Sequence, residues 1–300
     1  MTYSIVARDA GTGELGVAVQ SAYFHVGPVV PWAEAGVGAA ATQSVVNVAL
    51  GPLGLELMRG GYSAGQALSA VLAGDPEPEG RQVAMVDAQG GVAAHTGGRC
   101  VPAAGHRTGD QFSCQANLME RDTVWDAMAA AYEAAREAGR PLAERLVAAL
   151  QAAEAEGGDI RGRQSAALLV VTGAPTGRPW DDRVIDLRVE DHPRPVEELA
   201  RLLRLKRAYQ ALNGGGRPAP MRGEADVLGG RLRALELAPD MVQVRFLAGL
   251  AQAQAGRWGE AVRLVRSVLE EEPRFLEALR RLESVGRAPG GLADELQGRL

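Results

Sequence analysis

The chain opens on the stretch YSIVARDAGTGELGVAVQ at residues 3–20, and this stretch sets the class of fold. Residues 3–9 and 14–20 are rich in valine, isoleucine and other strand-forming side chains, so each is predicted to be a β-strand. The four residues between them, 10–13, include two glycines and favour a tight turn. The protein is therefore expected to begin with a β-hairpin.

The other elements of the first half of the chain come in groups. Strands are predicted over residues 36–42, 82–86, 92–96, 111–118, 164–172 and 183–189, and helices over residues 51–59, 63–73, 122–137 and 141–156. Helices thus arrive in two pairs between groups of strands, which disfavours a doubly wound parallel sheet. This order predicts an α+β fold with two stacked sheets, each covered by helices, which is a four-layer αββα sandwich.

Three segments are expected along the chain. Residues 1–192 form the αββα domain, residues 193–221 a linker helix with a Gly/Pro-rich loop, and residues 222–300 a small all-α domain. Pro239 and Pro273 each follow a helix-like run and lie 34 residues apart, which is the tetratricopeptide spacing. Because the large aromatic residues of that repeat are mostly missing, the last segment is expected to resemble degraded tetratricopeptide repeats.

Composition and charge exclude several classes of function. With a net charge of −5, the chain lacks the cationic field that broad nucleic-acid or membrane-surface binding needs. Lys206 is the single lysine, so the first domain cannot use a lysine base or a Schiff base. The cysteines and histidines show no metal-ligand spacing, and we expect no metal and no cofactor. Without a recognisable signal peptide or membrane span, the protein is expected to be cytoplasmic.

The second residue of the chain is a candidate nucleophile. Met1 is expected to be removed because Thr2 is small. Thr2 would then carry both a hydroxyl nucleophile and an α-amine, whose ordinary pKa of about 8 lets it act as a base near neutral pH. Such a site needs neither a histidine nor a lysine.

Polar side chains also gather where predicted strands begin or end. Besides Thr2, the candidate substrate-binding residues are Gln43, Ser44, Asn117, Asp159, Arg163, Gln164 and Ser165. Amides and hydroxyls at strand ends suit a pocket that polarises a carbonyl group. The alternative is that each cluster only satisfies backbone groups at a turn.

Several of these blocks resemble a known family. The similar segments are TYSIVARD at 2–9, GELGVAV at 13–19, GVGA at 36–39, ATQS at 41–44, GGD at 157–159, GRQSAAL at 162–168, DLRV at 186–189 and DHP at 191–193. Together they resemble the domain of unknown function 1028 family over about 190 residues. The resemblance implies an N-terminal-nucleophile hydrolase-like fold, and some members carry a C-terminal extension assigned to peptidoglycan binding. It implies no substrate.

The wider fold class implied by this resemblance includes proteasome subunits, glycosylasparaginases and penicillin acylases, which hydrolyse amide bonds. One departure from it is clear. Proteasome-like members place a lysine on the strand after the first hairpin, whereas residues 36–44 contain none. Arg163 could supply positive charge, but only as a fixed charge and never as a base.

Two hypotheses of function follow. In the first, an amidohydrolase acts on a small amide or peptide-like substrate with Thr2 as nucleophile; Gln43, Asn117 or Gln164 donates to the oxyanion, and Asp159 or Arg163 orients the substrate's charged end. In the second, the sandwich binds a ligand without catalysis. The helical tail then binds a peptide, a partner protein or a cell-wall fragment. A tail that only covers an exposed face, or forms a homo-oligomer contact, is an equal alternative.

Overall fold

The computed structural model describes residues 2–213 and 224–298 and divides into two compact units, Met1–Leu203 and Arg204–Leu300. The boundary falls within one helix, Pro195–Leu212. The predicted Gly/Pro-rich loop of the linker falls mostly on residues 214–223, outside the described residues. No helix among the described residues is long and apolar enough to cross a membrane.

All strands of the described residues lie in the first unit and form two antiparallel sheets. The strands are β1 Thr2–Arg8, β2 Leu15–Ser21, β3 Pro31–Glu34, β4 Gly38–Ser44, β5 Arg81–Asp87, β6 Val92–Thr96, β7 Gly105–Gly109, β8 Phe112–Asn117, β9 Ser165–Val171 and β10 Arg183–Val189. One sheet has six strands in the order β10-β9-β2-β1-β8-β7, and the other has four in the order β3-β4-β5-β6. The predicted opening hairpin is β1 and β2, paired from Thr2 opposite Ser21 to Arg8 opposite Leu15.

Helices cover the sheets in pairs and make up the second unit. They are α1 Leu50–Arg59, α2 Ala64–Ala73, α3 Val124–Glu137, α4 Leu142–Ala155, α5 Pro179–Asp182, α6 Pro195–Leu212, α7 Glu224–Leu237, α8 Val242–Gln254, α9 Trp258–Glu271, α10 Phe275–Ser284 and α11 Leu292–Gln297, with a 3-10 turn at Pro78–Gly80. The predicted capping box of α2 is present: Ser63 accepts from the Gln66 amide, and the Gln66 side chain accepts from the Ser63 amide.

The order of the layers follows from the alternation of side chains along each strand. On β1, Tyr3 and Ile5 pack with residues of α3 and α4, whereas Val6 packs with residues of β4 and β5 from the other sheet. Val83 and Met85 of β5 pack in turn against α1 and α2. The two sheets therefore face each other, with one helix pair on each outer face.

The sequence-based count of strands was wrong in two places. Four strands, not three, precede each of the first two helix pairs, because β3 and β7 were missed. Both are edge strands, so neither needs two buried faces with alternating apolar side chains. The β7 sequence GHRTG contains no large apolar residue, and β3 is only four residues long.

A buried ion pair fixes the segment between β4 and α1. Arg81 contacts the fully buried Asp75 carboxylate at 3.0 Å and donates to the Val45 carbonyl at 2.6 Å. Asn47 donates to the same carboxylate at 2.7 Å. Burial opposes ionisation, but the hydrogen bonds from Arg81 and Asn47 outweigh it and lower the pKa of Asp75 from 3.8 to about 2.

We predict that Asp75→Asn destabilises the first unit by about 3 kcal/mol at neutral pH, because it leaves the Arg81 charge buried and unpaired. Since folding depresses the pKa of Asp75, its contribution is complete above 3.8 and is lost as the pH falls towards 2. Urea unfolding at several pH values measures the difference between parent and variant, which should shrink over that range.

Asp110→Asn is the matched control, because Asp110 pairs with Arg136 at the surface with its side chain 73% exposed. Its effect should stay below about 1 kcal/mol. Equal effects of the two substitutions would contradict a structural role for the buried pair.

Candidate functional site

Strand β1 begins at the centre of the six-stranded sheet, and its first residue faces the other sheet. Thr2 lies opposite Ser21 of β2 on one side and Asn117 of β8 on the other. Its hydroxyl donates to the Ser21 hydroxyl at 3.1 Å, and its carbonyl accepts from the side-chain amides of Gln43 and Asn117 at 3.3 and 3.4 Å. Thr2 is only 5% exposed. The structure thus brings three of the predicted site residues, Thr2, Gln43 and Asn117, to one point.

A chain of hydrogen bonds crosses from one sheet to the other beside Thr2. Ser113 donates to Gln115, Gln115 to Ser4, Ser4 to Gln43, Gln43 to Gln82, and Gln82 to Thr96, with distances of 2.6–3.0 Å. Each member donates to the next, so the bonds polarise one another in the same direction. The chain ends at His106, whose Nδ1 lies 2.9 Å from the Thr96 hydroxyl.

This network determines what Gln43 and Asn117 can do. The side-chain oxygen of Gln82, Oε1, accepts from the side-chain amides of Gln43 and Asn117, each at 2.8 Å. The remaining N–H groups of these two amides donate to backbone carbonyls. Their N–H groups are therefore already used. The Asn117 Oδ1 atom is different, because it is buried and accepts no hydrogen bond in the described part of the chain. A buried acceptor without a donor is uncommon in proteins.

The loop before β9 contributes the next group of predicted residues. The Asp159 carboxylate is fully buried, accepts from the Ala22 amide at 3.2 Å and forms a two-point contact with the Arg161 guanidinium at 3.1 and 2.8 Å. Gly157 opens the loop at φ +113, and an added Cβ would lie 2.7 Å from Glu120. The Asp159 side chain therefore fixes the backbone immediately after Ser21.

The two predicted serines differ in their hydrogen bonds. The Ser165 hydroxyl is buried, donates to the Tyr23 carbonyl at 2.6 Å and accepts from the Val26 amide at 3.1 Å. Ser44 ends β4 with φ +73, and its hydroxyl is buried without a hydrogen-bond partner among the described residues. Neither hydroxyl contacts Thr2.

A cavity of about 400 Å³ opens beside this loop. Its lining residues are Ala22, Arg161, Arg163, Gln164, Asp191, His192 and Pro193. Gln164 connects the cavity to Ser21, the residue opposite Thr2, because the Gln164 backbone amide donates to the Ser21 carbonyl at 3.2 Å. Its side-chain amide donates to Asp191 at 3.2 Å. The predicted residues Arg163 and Gln164 thus lie in one cavity, next to the residue that contacts the Thr2 hydroxyl.

Behind β1, polar groups continue towards the same cavity. Burial and then the neighbouring Glu154 carboxylate raise the pKa of the Tyr3 phenol well above its ordinary value. Burial also raises the pKa of Glu154, an effect that Arg163 opposes from 3.5 Å.

Within residues 2–213 and 224–298, no group of three or more His, Cys, Asp or Glu side chains could hold a metal ion.

Sequence reasoning missed Ser21 and Gln82, which hold the site together. Ser21 is the last residue of β2, and Gln82 is the second residue of β5. Both strands were predicted from their apolar residues, which drew no attention to these polar ones. A signal for Ser21 was available, because paired residue numbers in the opening hairpin add up to a constant and put residue 21 opposite residue 2. No such local rule leads to Gln82, which reaches the site from the other sheet.

Comparison with known proteins agrees with two antiparallel sheets in a mixed α+β fold. A family model described as "Family of unknown function (DUF1028)" matches residues 2–199, and the chain belongs to this family. The crystal structure of protein SPO2555 from Silicibacter pomeroyi, of the same family, is similar at 30% sequence identity with a TM-score of 0.60. That match covers 71% of this chain and 89% of the other. None of the curated proteins matches this chain.

We predict that Gln82→Ala destabilises the first unit by about 3 kcal/mol, because the buried amides of Gln43 and Asn117 lose their shared acceptor. The matched control is Gln89→Ala in the exposed turn after β5, which should change stability by less than about 0.5 kcal/mol. Urea unfolding of both variants measures the difference. If they unfold alike, the network does not hold the sheets together.

Proposed function

We propose that the protein is an amidohydrolase of the N-terminal-nucleophile type, which cleaves a small amide or peptide-like bond through Thr2 once Met1 has been removed. The observation that carries this proposal is the Thr2 hydroxyl, hydrogen-bonded to Ser21 at 3.1 Å on the first residue of the central strand. The order of the layers, with two facing sheets between helix pairs, supports the N-terminal-nucleophile hydrolase-like fold class. Fold analogy alone would be a weak reason.

The chemistry would proceed in two balanced steps. The Thr2 oxygen adds to the carbonyl carbon while its own α-amine takes the hydroxyl proton. Collapse of the tetrahedral intermediate breaks the C–N bond, the proton leaves with the departing amine, and the acyl group remains on Thr2 as an ester. A water molecule that gives its proton to the same amine then hydrolyses the ester and restores the free threonine.

The neighbours of Thr2 have distinct roles in this proposal. Ser21 orients the hydroxyl, since it accepts its hydrogen bond. The unpaired Oδ1 of Asn117 would accept from the α-ammonium group formed at Thr2 and hold it in place. Gln164 would donate to the oxyanion through its second N–H, because its side-chain amide lines the cavity and gives one hydrogen bond, to Asp191, whereas both N–H groups of Gln43 and Asn117 are engaged.

The absence of lysine from the first 205 residues makes the proposal more specific. Strand β4, where proteasome-like proteins carry a lysine, here brings Gln43 to the Thr2 carbonyl. A side-chain amide does not ionise near neutral pH and cannot accept a proton from the hydroxyl, so the α-amine of Thr2 alone would act as base. Activity should therefore depend directly on whether Met1 is removed.

A non-catalytic function is favoured by one observation in the second unit. Helices α7 and α9 end 34 residues apart, at Leu237 and Glu271, which is the spacing of tetratricopeptide repeats. Such repeats present a concave surface to a partner. In this alternative, the cavity of the first unit binds a ligand, and the tail binds a peptide, a partner protein or a cell-wall fragment. An intact mass that retains Met1 would support this alternative.

We predict that Thr2→Ala abolishes hydrolysis of any acyl-amide, γ-glutamyl or β-aspartyl compound that the parent cleaves, whereas Thr2→Ser keeps part of the activity. A survey of such compounds with protein whose mass shows a Thr2 start provides the measurement. Thr108→Ala, at an exposed residue of β7, is the matched control and should leave the rate unchanged. A Thr2→Ala protein as fast as the parent would exclude this mechanism.

We also predict that Ser21→Ala lowers kcat about tenfold with little change in KM, because the hydroxyl nucleophile loses its orienting hydrogen bond. Steady-state kinetics on the substrate found above measure both constants. Ser69→Ala, on the exposed face of α2, should leave both unchanged. A selective rise in KM would instead place Ser21 among the substrate contacts.

A further inference from the structure

The cavity beside the loop before β9 is rich in hydrogen-bond donors. Arg161, Arg163, Gln164 and His192 contribute donors to its lining, and Asp191 is the one acidic side chain among the lining residues. With His192 neutral, the two arginines and the aspartate give the lining a formal charge of +1. A volume of about 400 Å³ suits a small molecule rather than a chain.

Arg163 is the arginine best able to bind a ligand. Its side chain is 41% exposed, and its ion-pair partner is Glu154, at 3.5 Å from Nε. In the described part of the chain the Arg163 guanidinium makes no direct hydrogen bond at normal distance. Arg161, in contrast, is held on Asp159 through two contacts. A guanidinium presents parallel N–H groups that match the two oxygens of a carboxylate.

His192 has a defined tautomer. Its Nδ1 accepts from the Arg194 backbone amide at 3.0 Å, so the neutral ring carries its proton on Nε2 and can donate there. The His192 backbone amide donates to the Gln164 carbonyl at 2.8 Å and holds this segment beside the loop. Arg163 and His192 thus bring a charged and a neutral donor to the same cavity.

The cavity also lies at a short distance from Thr2. Ala22 lines it and directly follows Ser21, whose hydroxyl accepts from Thr2. Consecutive Cα atoms are about 3.8 Å apart, so the lining of the cavity begins one residue after the residue that contacts the Thr2 hydroxyl. The Asp159 carboxylate fixes Ala22 through its amide, which keeps this spacing constant.

We propose that this cavity binds the free carboxylate of an N-acyl amino acid, with Arg163 as the principal ligand and His192 as a second donor. The inference rests on the proposed function for the position of the scissile amide at Thr2. In an N-acyl amino acid the carboxylate is two bonds from the amide nitrogen, which agrees with the short span. Of the two lining arginines, Arg161 is held on the Asp159 carboxylate, and the single guanidinium of Arg163 matches the two oxygens of one carboxylate.

The test measures binding separately from turnover. Full-length Thr2→Ala protein, checked by mass for loss of Met1, is titrated by calorimetry with N-acetylglycine and with the neutral N-acetylglycinamide. The carboxylate should bind at least about tenfold more tightly than the amide. Arg163→Gln should remove this preference, and Arg163→Lys should restore only part of it because lysine lacks the paired donors. Arg178→Gln, at an exposed arginine paired with Asp181, is the matched control and should change nothing.

Three outcomes would overturn the proposal. They are equal binding of the acid and the amide, no detectable binding of the acid at millimolar concentration, and unchanged binding in Arg163→Gln. Inorganic phosphate bound as tightly as N-acetylglycine would show a general anion site instead. Because the Thr2→Ala protein is used throughout, these results stand whether or not Thr2 is the nucleophile. An inactive parent that still selects the carboxylate would contradict only the proposed hydrolysis.

Discussion

The two sheets are joined beside Thr2 by a directional chain of hydrogen bonds, and the rest of the first unit depends on that contact. Elsewhere the facing surfaces meet through apolar residues, with valines and leucines of the six-stranded sheet against small residues such as Ala39, Ala41 and Ala84. At the Thr2 end the interior is filled by the amides of Gln43, Gln82 and Gln115. Apolar packing tolerates small shifts between layers, but a chain of hydrogen bonds of 2.6–3.0 Å does not. The relative position of the sheets is therefore set most tightly at the candidate site.

Such a polar interior costs free energy unless its donors and acceptors are satisfied, because buried amides have lost their water. Among the side chains of this network, Asn117 Oδ1 is the one buried atom without a hydrogen-bond partner in the described part of the chain, which makes it informative. The Nδ2 atom of the same side chain donates to the Gln82 side chain and to the Thr2 carbonyl. The side chain therefore cannot rotate to give the oxygen a donor without losing these two bonds. A fold selected for stability alone would be expected to fill this position with an apolar residue or a paired group. An unpaired acceptor adjacent to a strand terminus is better explained by a group that arrives there only in the mature or substrate-bound protein.

The sequence predicted the parts of this architecture that local patterns determine. Side-chain alternation and the turn at residues 10–13 were enough for the opening hairpin, and the grouping of elements indicated a mixed α+β fold with antiparallel sheets. Clusters at strand ends led to Gln43, Asn117, Arg163 and Gln164. The same rule also selected Ser44 and Ser165; the Ser165 hydroxyl bonds the backbone of Tyr23 and Val26, and the Ser44 hydroxyl has no hydrogen-bond partner among the described residues. Edge strands and contacts between sheets, such as that of Gln82, depend on tertiary pairing that no local pattern carries.

The geometry also separates recognition from chemistry within the proposed site. The proposed donors for a carboxylate lie on the loop before β9 and on the segment after β10, whereas the proposed nucleophile and its orienting groups lie on β1, β2 and β8. The two sets meet at Ser21 and Ala22, where one residue contacts the Thr2 hydroxyl and the next lines the cavity. Asp159 holds that junction through the Ala22 amide while its other contacts hold Arg161. Changes in the loop could thus alter which substrate binds without moving Thr2, whereas a retained Met1 would remove the free α-amine that the proposed chemistry needs.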